Sequence, residues 1–265
     1  MSLNLNIEHH TQLSFDDPVD YTIQQLHLTP SDGFGQKVKR WEIRVNGKLQ
    51  AHADTYGNLE HTLVVDGPHR SINITAVGEV ETGLDIPPQP DALPIQVYLR
   101  FTPLTMADRR IRDFAKLYAP ANARLDDAVL NNLMFGIRDC VAYRKGTGAT
   151  SASAADALAA GEGSCRDHAH IFIACCRSLG IPARYVSGYR FSAANGRLES
   201  HAWADAWVEG EGWLSFDVSN GQRANGIHVR LATGLDYRDA CPVSGVARGA
   251  TEAMSLSVQV QQVQQ

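Results

Sequence analysis

The N-terminal part of the chain carries its apolar residues in short runs, not in helical stripes. Tyr21-Thr22-Ile23, Trp41-Glu42-Ile43-Arg44-Val45, His61-Thr62-Leu63-Val64-Val65 and Ser71-Ile72-Asn73-Ile74-Thr75 are rich in β-branched and aromatic side chains, which suit a pleated, half-buried surface. Turn-forming clusters separate them: Pro30-Ser31-Asp32-Gly33, Asn46-Gly47 and Tyr56-Gly57-Asn58. Asn46-Gly47 predicts a two-residue hairpin, because both residues tolerate the positive φ of a type I′ turn. Short strands with frequent turns predict a β-sandwich-like unit or small barrel over residues 1–85. The stretch Ile86-Pro87-Pro88-Gln89-Pro90-Asp91-Ala92-Leu93-Pro94 then predicts a linker over 86–103, or a rigid extended strap against the body.

The period changes beyond the linker. Ile111, Phe114, Ala115 and Tyr118 predict a helix over 107–118; Val129, Leu133 and Ile137 predict another over 125–138. Residues 153–160 are alanine-rich and predict a short helix. A further helix is expected after Ser164, with Ala169, Phe172, Cys176 and Leu179 on one face and Gly180-Ile181-Pro182 closing it. Strand patterns return from Ala183 to Asp217, and the alternating Met254 to Val260 predicts a half-exposed C-terminal strand before a frayed, Gln-rich end. The expectation is an α+β protein, with the sandwich-like unit at 1–85, the linker at 86–103 and a second unit at 104–265 that includes the last strand.

The 265 residues, 44% of them hydrophobic, suffice for one large domain or two ordinary ones. Net charge is -5 without a Lys/Arg run, so no nucleic-acid partner is expected. No apolar run approaches the roughly 18 residues of a membrane span, and Met1-Ser2-Leu3-Asn4-Leu5 lacks a signal peptide's basic start. A soluble, cytoplasmic protein without a membrane partner is expected. The cysteines are Cys140, Cys165, Cys175, Cys176 and Cys241, with no Cys-x-x-Cys pair; neither a disulfide framework nor a zinc ribbon fits. Cys175 and Cys176 read as small core hydrophobes.

Candidate chemistry lies in Ser164-Cys165, His201-Ala202-Trp203 and Phe216-Asp217. Ser164 is a good N-cap and Asp167 occupies the capping-box position. Cys165 is thus expected in the first helical turn, where free N–H groups and the helix dipole favour a thiolate. His201 to Val208 and Trp213 to Val218 predict a hairpin. Keeping Ala202, Ala204, Ala206, Val208, Leu214, Phe216 and Val218 on one face requires paired residue numbers with an even sum, hence an odd-length loop or a bulge. The same register puts His201 and Asp217 together on the other face. A thiolate, an imidazole and a carboxylate so placed suit nucleophilic acyl chemistry. A metal site of Cys165, His168, His170 and His201 is a competing reading, but residues two apart on a helix point about 200° from each other. His168 and His170 are expected to be one cleft-side residue and one packed against the core.

These stretches resemble the transglutaminase-like family of papain-type cysteine enzymes in its bacterial form. The resemblance runs through Gly161-Glu162-Gly163-Ser164-Cys165, Gly180-Ile181-Pro182-Ala183-Arg184-Tyr185-Val186-Ser187-Gly188-Tyr189, His201-Ala202-Trp203 and Trp213-Leu214-Ser215-Phe216-Asp217. Leu28-Thr29-Pro30, Gly35-Gln36, Tyr56-Gly57-Asn58 and Gly78-Glu79-Val80 are similar to the β domain that precedes this core in bacterial members. It implies Cys165 as nucleophile, His201 as general acid/base and Asp217 as orienter, on a papain-like core in which a helix-borne cysteine packs on an antiparallel sheet, with no metal or organic cofactor. The implied partner is a peptide or protein bearing an amide. Where the family commonly has Gln-Asp-Phe after the cysteine, this chain has Arg166-Asp167-His168. No glutamine occurs between Gln96 and Gln222, so the Cys165 backbone N–H is the expected first oxyanion donor, with Tyr143 as a second candidate. His168, Tyr189 and Trp203 are the expected cleft-lining residues. Hydrolysis by a cysteine peptidase or amidase is the favoured activity. Protein crosslinking, small-molecule amine N-acylation and a non-catalytic peptide-binding module are the alternatives.

Overall fold

The computed structural model describes residues 2–120, 124–145, 152–192 and 196–248, together with the backbone of 254–262. Two strands of unusual length dominate the N-terminal half, β1 (Leu3–Leu26) and β4 (Leu59–Thr82). They pair antiparallel along nearly their whole length. β2 (Gln36–Val45) and β3 (Lys48–Ala53) lie end to end along the outer edge of β4, pairing with its C-terminal and N-terminal parts respectively. The inward residues of β1 are Leu5, Ile7, His9, Thr11, Leu13, Phe15 and Val19, then Thr22, Gln24 and Leu26. The switch of phase falls between Val19 and Thr22, just after Asp16-Asp17-Pro18, where the ladder with β4 is irregular on both sides of Val19. Proline has no N–H for the ladder, and an extra residue flips the buried face.

The hairpin expected at Asn46-Gly47 does not form, since β2 and β3 both pair with β4 and not with each other. Neither residue takes the positive φ that a type I′ turn needs. Asn46 instead stitches the junction to β4: its Nδ2 donates to Ser71 O at 3.1 Å and its Oδ1 accepts from Asn73 N at 2.9 Å. A Cβ on Gly47 would lie 2.7 Å from both Leu63 Cδ1 and Val64 O. The glycine is thus needed for close approach, not for turning.

The second half begins with α1 (Arg109–Tyr118), α2 (Asp127–Cys140), β5 (Ala142–Tyr143), α3 (Ala154–Ala160), β6 (Glu162–Gly163) and α4 (Cys165–Ser178). Asp108, Asp126 and Ser153 cap the first three helices, each accepting a backbone N–H with its side chain. α4 is apolar on more than the one face its spacing predicts: every residue from His168 to Arg177 is buried. Such a helix belongs at the centre of a core. It packs on α1, α2, α3 and a sheet of β7 (Ala183–Ser192), β8 (Arg197–Val208), β9 (Gly212–Asp217), β10 (Gln222–Arg223) and β11 (His228–Gly234), in the order β10-β9-β8-β7-β11. Cys175 and Cys176 are fully buried there, as expected of small core hydrophobes.

The β8–β9 register pairs Ala204 with Phe216, Asp205 with Ser215 and Val208 with Gly212. These are the even sums the apolar face demands, closed by an odd-length loop. The expected α+β architecture is therefore present, but two expectations about its parts change. The last strands, β12 (Val243–Arg248) and β13 (Met254–Gln262), leave the second unit and pair with the free edge of β1. Residues 263–265, the tip of the expected frayed end, lie outside the described residues. The linker is the strap of the two readings: Tyr98 is fully buried, and Asp91 accepts from Arg184 Nη1 at 2.7 Å and Trp213 Nε1 at 2.9 Å. Tyr189, Leu198, Val229 and Leu231 of the second sheet join the core of the first.

Candidate active site

Cys165 is the first residue of α4. Asp167 Oδ2 accepts the Ser164 backbone N–H at 2.7 Å and the Ser164 hydroxyl at 2.8 Å, so the turn into the helix is held from inside. The thiol is partly exposed and sits at the positive end of a 14-residue helix.

His201 and Asp217 approach from the sheet. His201 Nε2 lies 2.9 Å from Asp217 Oδ1, and its ring also hydrogen-bonds the Cys165 thiol. Burial disfavours the imidazolium, but the bonds to Asp217 and Cys165 outweigh it and raise the His201 pKa to about 10. Asp217 is fully buried. Burial opposes its charge, yet bonds from His201 and His228 pull its carboxyl well below the usual carboxylate range. Asn220 Nδ2 donates to both oxygens at 3.1 and 2.9 Å, and the carboxylate caps the 3₁₀ turn Val218–Asn220. His228 Nε2 donates to Oδ2 at 3.0 Å while its Nδ1 accepts from Asn225 N at 3.1 Å. Those two bonds define one neutral tautomer. Burial, the largest influence on it, lowers the His228 pKa and keeps the ring neutral.

Family models match both halves of the chain: the transglutaminase-like superfamily over residues 116–218, and the bacterial transglutaminase-like N-terminal region over residues 5–81. Residues 116–218 are a transglutaminase-like core, and residues 5–81 a bacterial transglutaminase-like N-terminal region. A Mycobacterium leprae protein, described as uncharacterized, is 27% identical over 94% of this chain and 95% of its own length. A protein-glutamine gamma-glutamyltransferase of Pseudomonas aeruginosa is 31% identical, over 31% of this chain and 14% of that protein. The solved structure titled "Putative Cysteine Protease from Cytophaga hutchinsonii" superposes with a TM-score of 0.70 at 20% identity, covering 100% of this chain and 94% of that one; it shows the shared fold.

Within the transglutaminase-like core, the other expected residues divide. Tyr143 in β5 pairs with Gly163, two residues before Cys165, and is half exposed. Its phenol pKa is raised by partial burial and then by the charge of the Cys165 thiol. His168 does not line a cleft: it is fully buried, with Nδ1 2.8 Å from Ser164 O and Nε2 2.9 Å from Val141 O, tying the α4 entry to the end of α2. His170 is also buried, accepting Tyr237 N at 3.1 Å, so neither histidine is cleft-side and the set Cys165, His168, His170, His201 does not converge. Tyr189 faces the N-terminal sheet, its hydroxyl 2.8 Å from His9 Nδ1, and is not part of the cleft. Trp203 is buried behind the site: it stacks on His201 at 6.3 Å and meets His228 edge-on at 5.3 Å, shielding both rings from water without lining an opening. A Cβ on Gly188 would lie 2.6 Å from the Trp203 ring and 2.1 Å from Val229 O, so that position requires glycine.

The residues not anticipated are His228, Asn220 and Arg190. Asn220 had a local signal, three residues after Asp217 in a capping relation. His228 had none, because it arrives from the far edge of the sheet. Among the described residues, two groups bring three metal-capable atoms together: His201, Asp217 and His228, and separately His27, Asp54 and Glu60. In the second, His27 Nε2 lies 3.2 Å from each carboxylate and Nδ1 lies 3.1 Å from Cys241 O. Both nitrogens face acceptors, the arrangement of a buried imidazolium. Accordingly its pKa is raised, although burial opposes the charge.

Proposed function

We propose that Cys165, His201 and Asp217 form a cysteine-nucleophile triad that cleaves amides through a thioester, as a peptidase or amidase acting on a peptide or protein. The observation that carries this is the His201 ring, bonded to Asp217 on one side and to the thiol at the helix N-terminus on the other. His201 takes the thiol proton as the sulfur bonds to the carbonyl carbon. The Cys165 backbone N–H, with the Tyr143 hydroxyl as second donor, receives the oxyanion. The C–N bond breaks as His201 returns its proton to the departing amine. Water then attacks the thioester, giving a proton to His201, and the carboxylic acid leaves as Cys165 regains its hydrogen.

As part of the same proposal, catalysis belongs to the unit from residue 104 onward and operates in a reducing, cytoplasmic compartment that keeps Cys165 a thiol. Transfer of the acyl group to a second amine is the competing reading, favoured by the partial match to a protein-glutamine gamma-glutamyltransferase. A glutamine peptide incubated with a primary amine separates them. Free acid exceeding ligated product supports hydrolysis; the reverse overturns it. Cys165→Ala is expected to lower either product by at least about 10⁴-fold with folding intact. An unchanged rate excludes the triad.

A further inference from the structure

We propose that Arg190 is a specificity residue that receives the free carboxylate of the departing amine, so that the preferred amides end in an unblocked C-terminal residue. This rests on the reading of Cys165 as nucleophile and adds a substrate class to it. Arg190 lies on the same sheet face as the triad: Gly188 pairs with His201, and Arg190 pairs with Glu199 on one side and His228 on the other. Its Nε is 3.6 Å from Asp217 Oδ2, an ion pair beyond hydrogen-bond length, and that nitrogen is buried with no hydrogen-bond partner. Asp217 Oδ2 is already occupied, by His228 at 3.0 Å and Asn220 at 2.9 Å. Glu199, the cross-strand neighbour, faces Lys145 at 3.6 Å.

Other buried arginines have their terminal nitrogens engaged; even Arg230, whose Nε is also without a hydrogen bond, donates to Asp205 from both Nη atoms. Arg177 spends its donors on Tyr98 O, Thr105 Oγ1, Ala183 O and Leu235 O, and Arg184 on Asp205 and Asp91. The Arg190 side chain is 25% exposed, so its unused fork is reachable from solvent. A planar guanidinium with free donors matches a carboxylate bidentately. The direction of the chemistry chooses which half of the substrate supplies it. His201 must protonate the leaving nitrogen, so the amine half lies on the His201 side, one row from Arg190. In an amino acid a single carbon separates amine from carboxylate, and a C-terminal residue spans that row.

The test compares iodoacetate with iodoacetamide as alkylating agents of Cys165, with exposed Cys140 as internal reference. The iodoacetate preference at Cys165 is expected to exceed that at Cys140 by about tenfold. It should fall about fivefold or more in Arg190→Gln and be largely kept in Arg190→Lys. Alternatively, a ratio unmoved by Arg190→Gln overturns the proposal. Labelling of Cys165 no faster than Cys140 by either reagent overturns the nucleophile reading instead, and iodoacetamide rates in the variants report whether the site is still folded. Acetyl-trialanine with a free carboxylate and its C-terminal amide provide the turnover arm: the free acid should be cleaved faster by wild type, and Arg190→Gln should erase the difference. Equal cleavage by wild type refutes the assignment.

Discussion

Two buried aspartates, Asp205 and Asp217, lie on one face of the same hairpin, and both are fully buried. Asp205 is held by Arg230 at 2.8 and 2.9 Å, Arg184 at 2.9 Å and Ser215 at 2.7 Å. Its pKa falls to about 2, the two arginines outweighing the burial that opposes its charge. Asp217 is held by two histidines and Asn220. Burial and paired charges are thus common to both, and the partners make the difference. Arginine keeps its proton at every working pH, so the Asp205 cluster fastens the strap and sheet together. Histidine can release a proton and take it back, so the Asp217 cluster can hold a ring that passes one on.

The sharpest way to break this comparison is to neutralise each carboxylate in turn. Asp217→Asn should lower kcat by about 10³–10⁴-fold, measured on whatever amide wild type cleaves, with a small change in unfolding midpoint. Asp205→Asn should do the opposite. Two buried guanidinium groups lose their counter-charge at a cost of about 3–5 kcal/mol, read as a lower denaturant midpoint, while the folded fraction keeps kcat within about tenfold. Equal effects on both quantities would erase the distinction. A pH series sharpens it. The His201 pKa is raised from 6.5 to about 10, so its imidazolium contributes stability that is complete below pH 6.5 and lost as pH rises through about 10. Asp217→Asn should pull that alkaline loss toward neutrality, and Asp205→Asn should leave it in place.

Smaller effects are expected one shell out. Tyr143→Phe removes the proposed second oxyanion donor and should reduce kcat about 10²-fold with KM little changed; a KM effect alone would reassign Tyr143 to binding. His228 is a positioning residue acting through Asp217. His228→Leu should cost about 10-fold in kcat and lower the pH of the alkaline limb, while His228→Gln, which keeps a donor, should recover most of both. A loss of stability with an unmoved pH profile would make His228 purely structural.

Local sequence carried much of this. The capped entry into α4 is written in Ser164 and Asp167, and the even register of β8 and β9 follows from one apolar face that must stay together. Those signals work because they involve neighbours in the chain or across one hairpin. They fail where packing decides. Asn46-Gly47 has hairpin chemistry, yet the long β4 offers both flanking strands a better ladder than they offer each other. His168, Tyr189 and Trp203 lie near the cysteine or the histidine in sequence, but their side chains point into cores whose position no local pattern states. The pairing of β12 and β13 with β1 joins opposite ends of the chain.

By itself, then, the sequence determined which chemical groups are present, which helix end presents the thiol and which hairpin face bears the imidazole and carboxylate. These are consequences of capping and of a two-residue side-chain period. Only the tertiary structure decided that His228 and Asn220 complete the grip on Asp217, that Trp203 seals the rings from behind, and that Arg190 is left with unused donors. Each depends on which distant strand ends alongside which, and that is set by the summed burial of the two large sheets and the helices packed on them, not by any local run of residues.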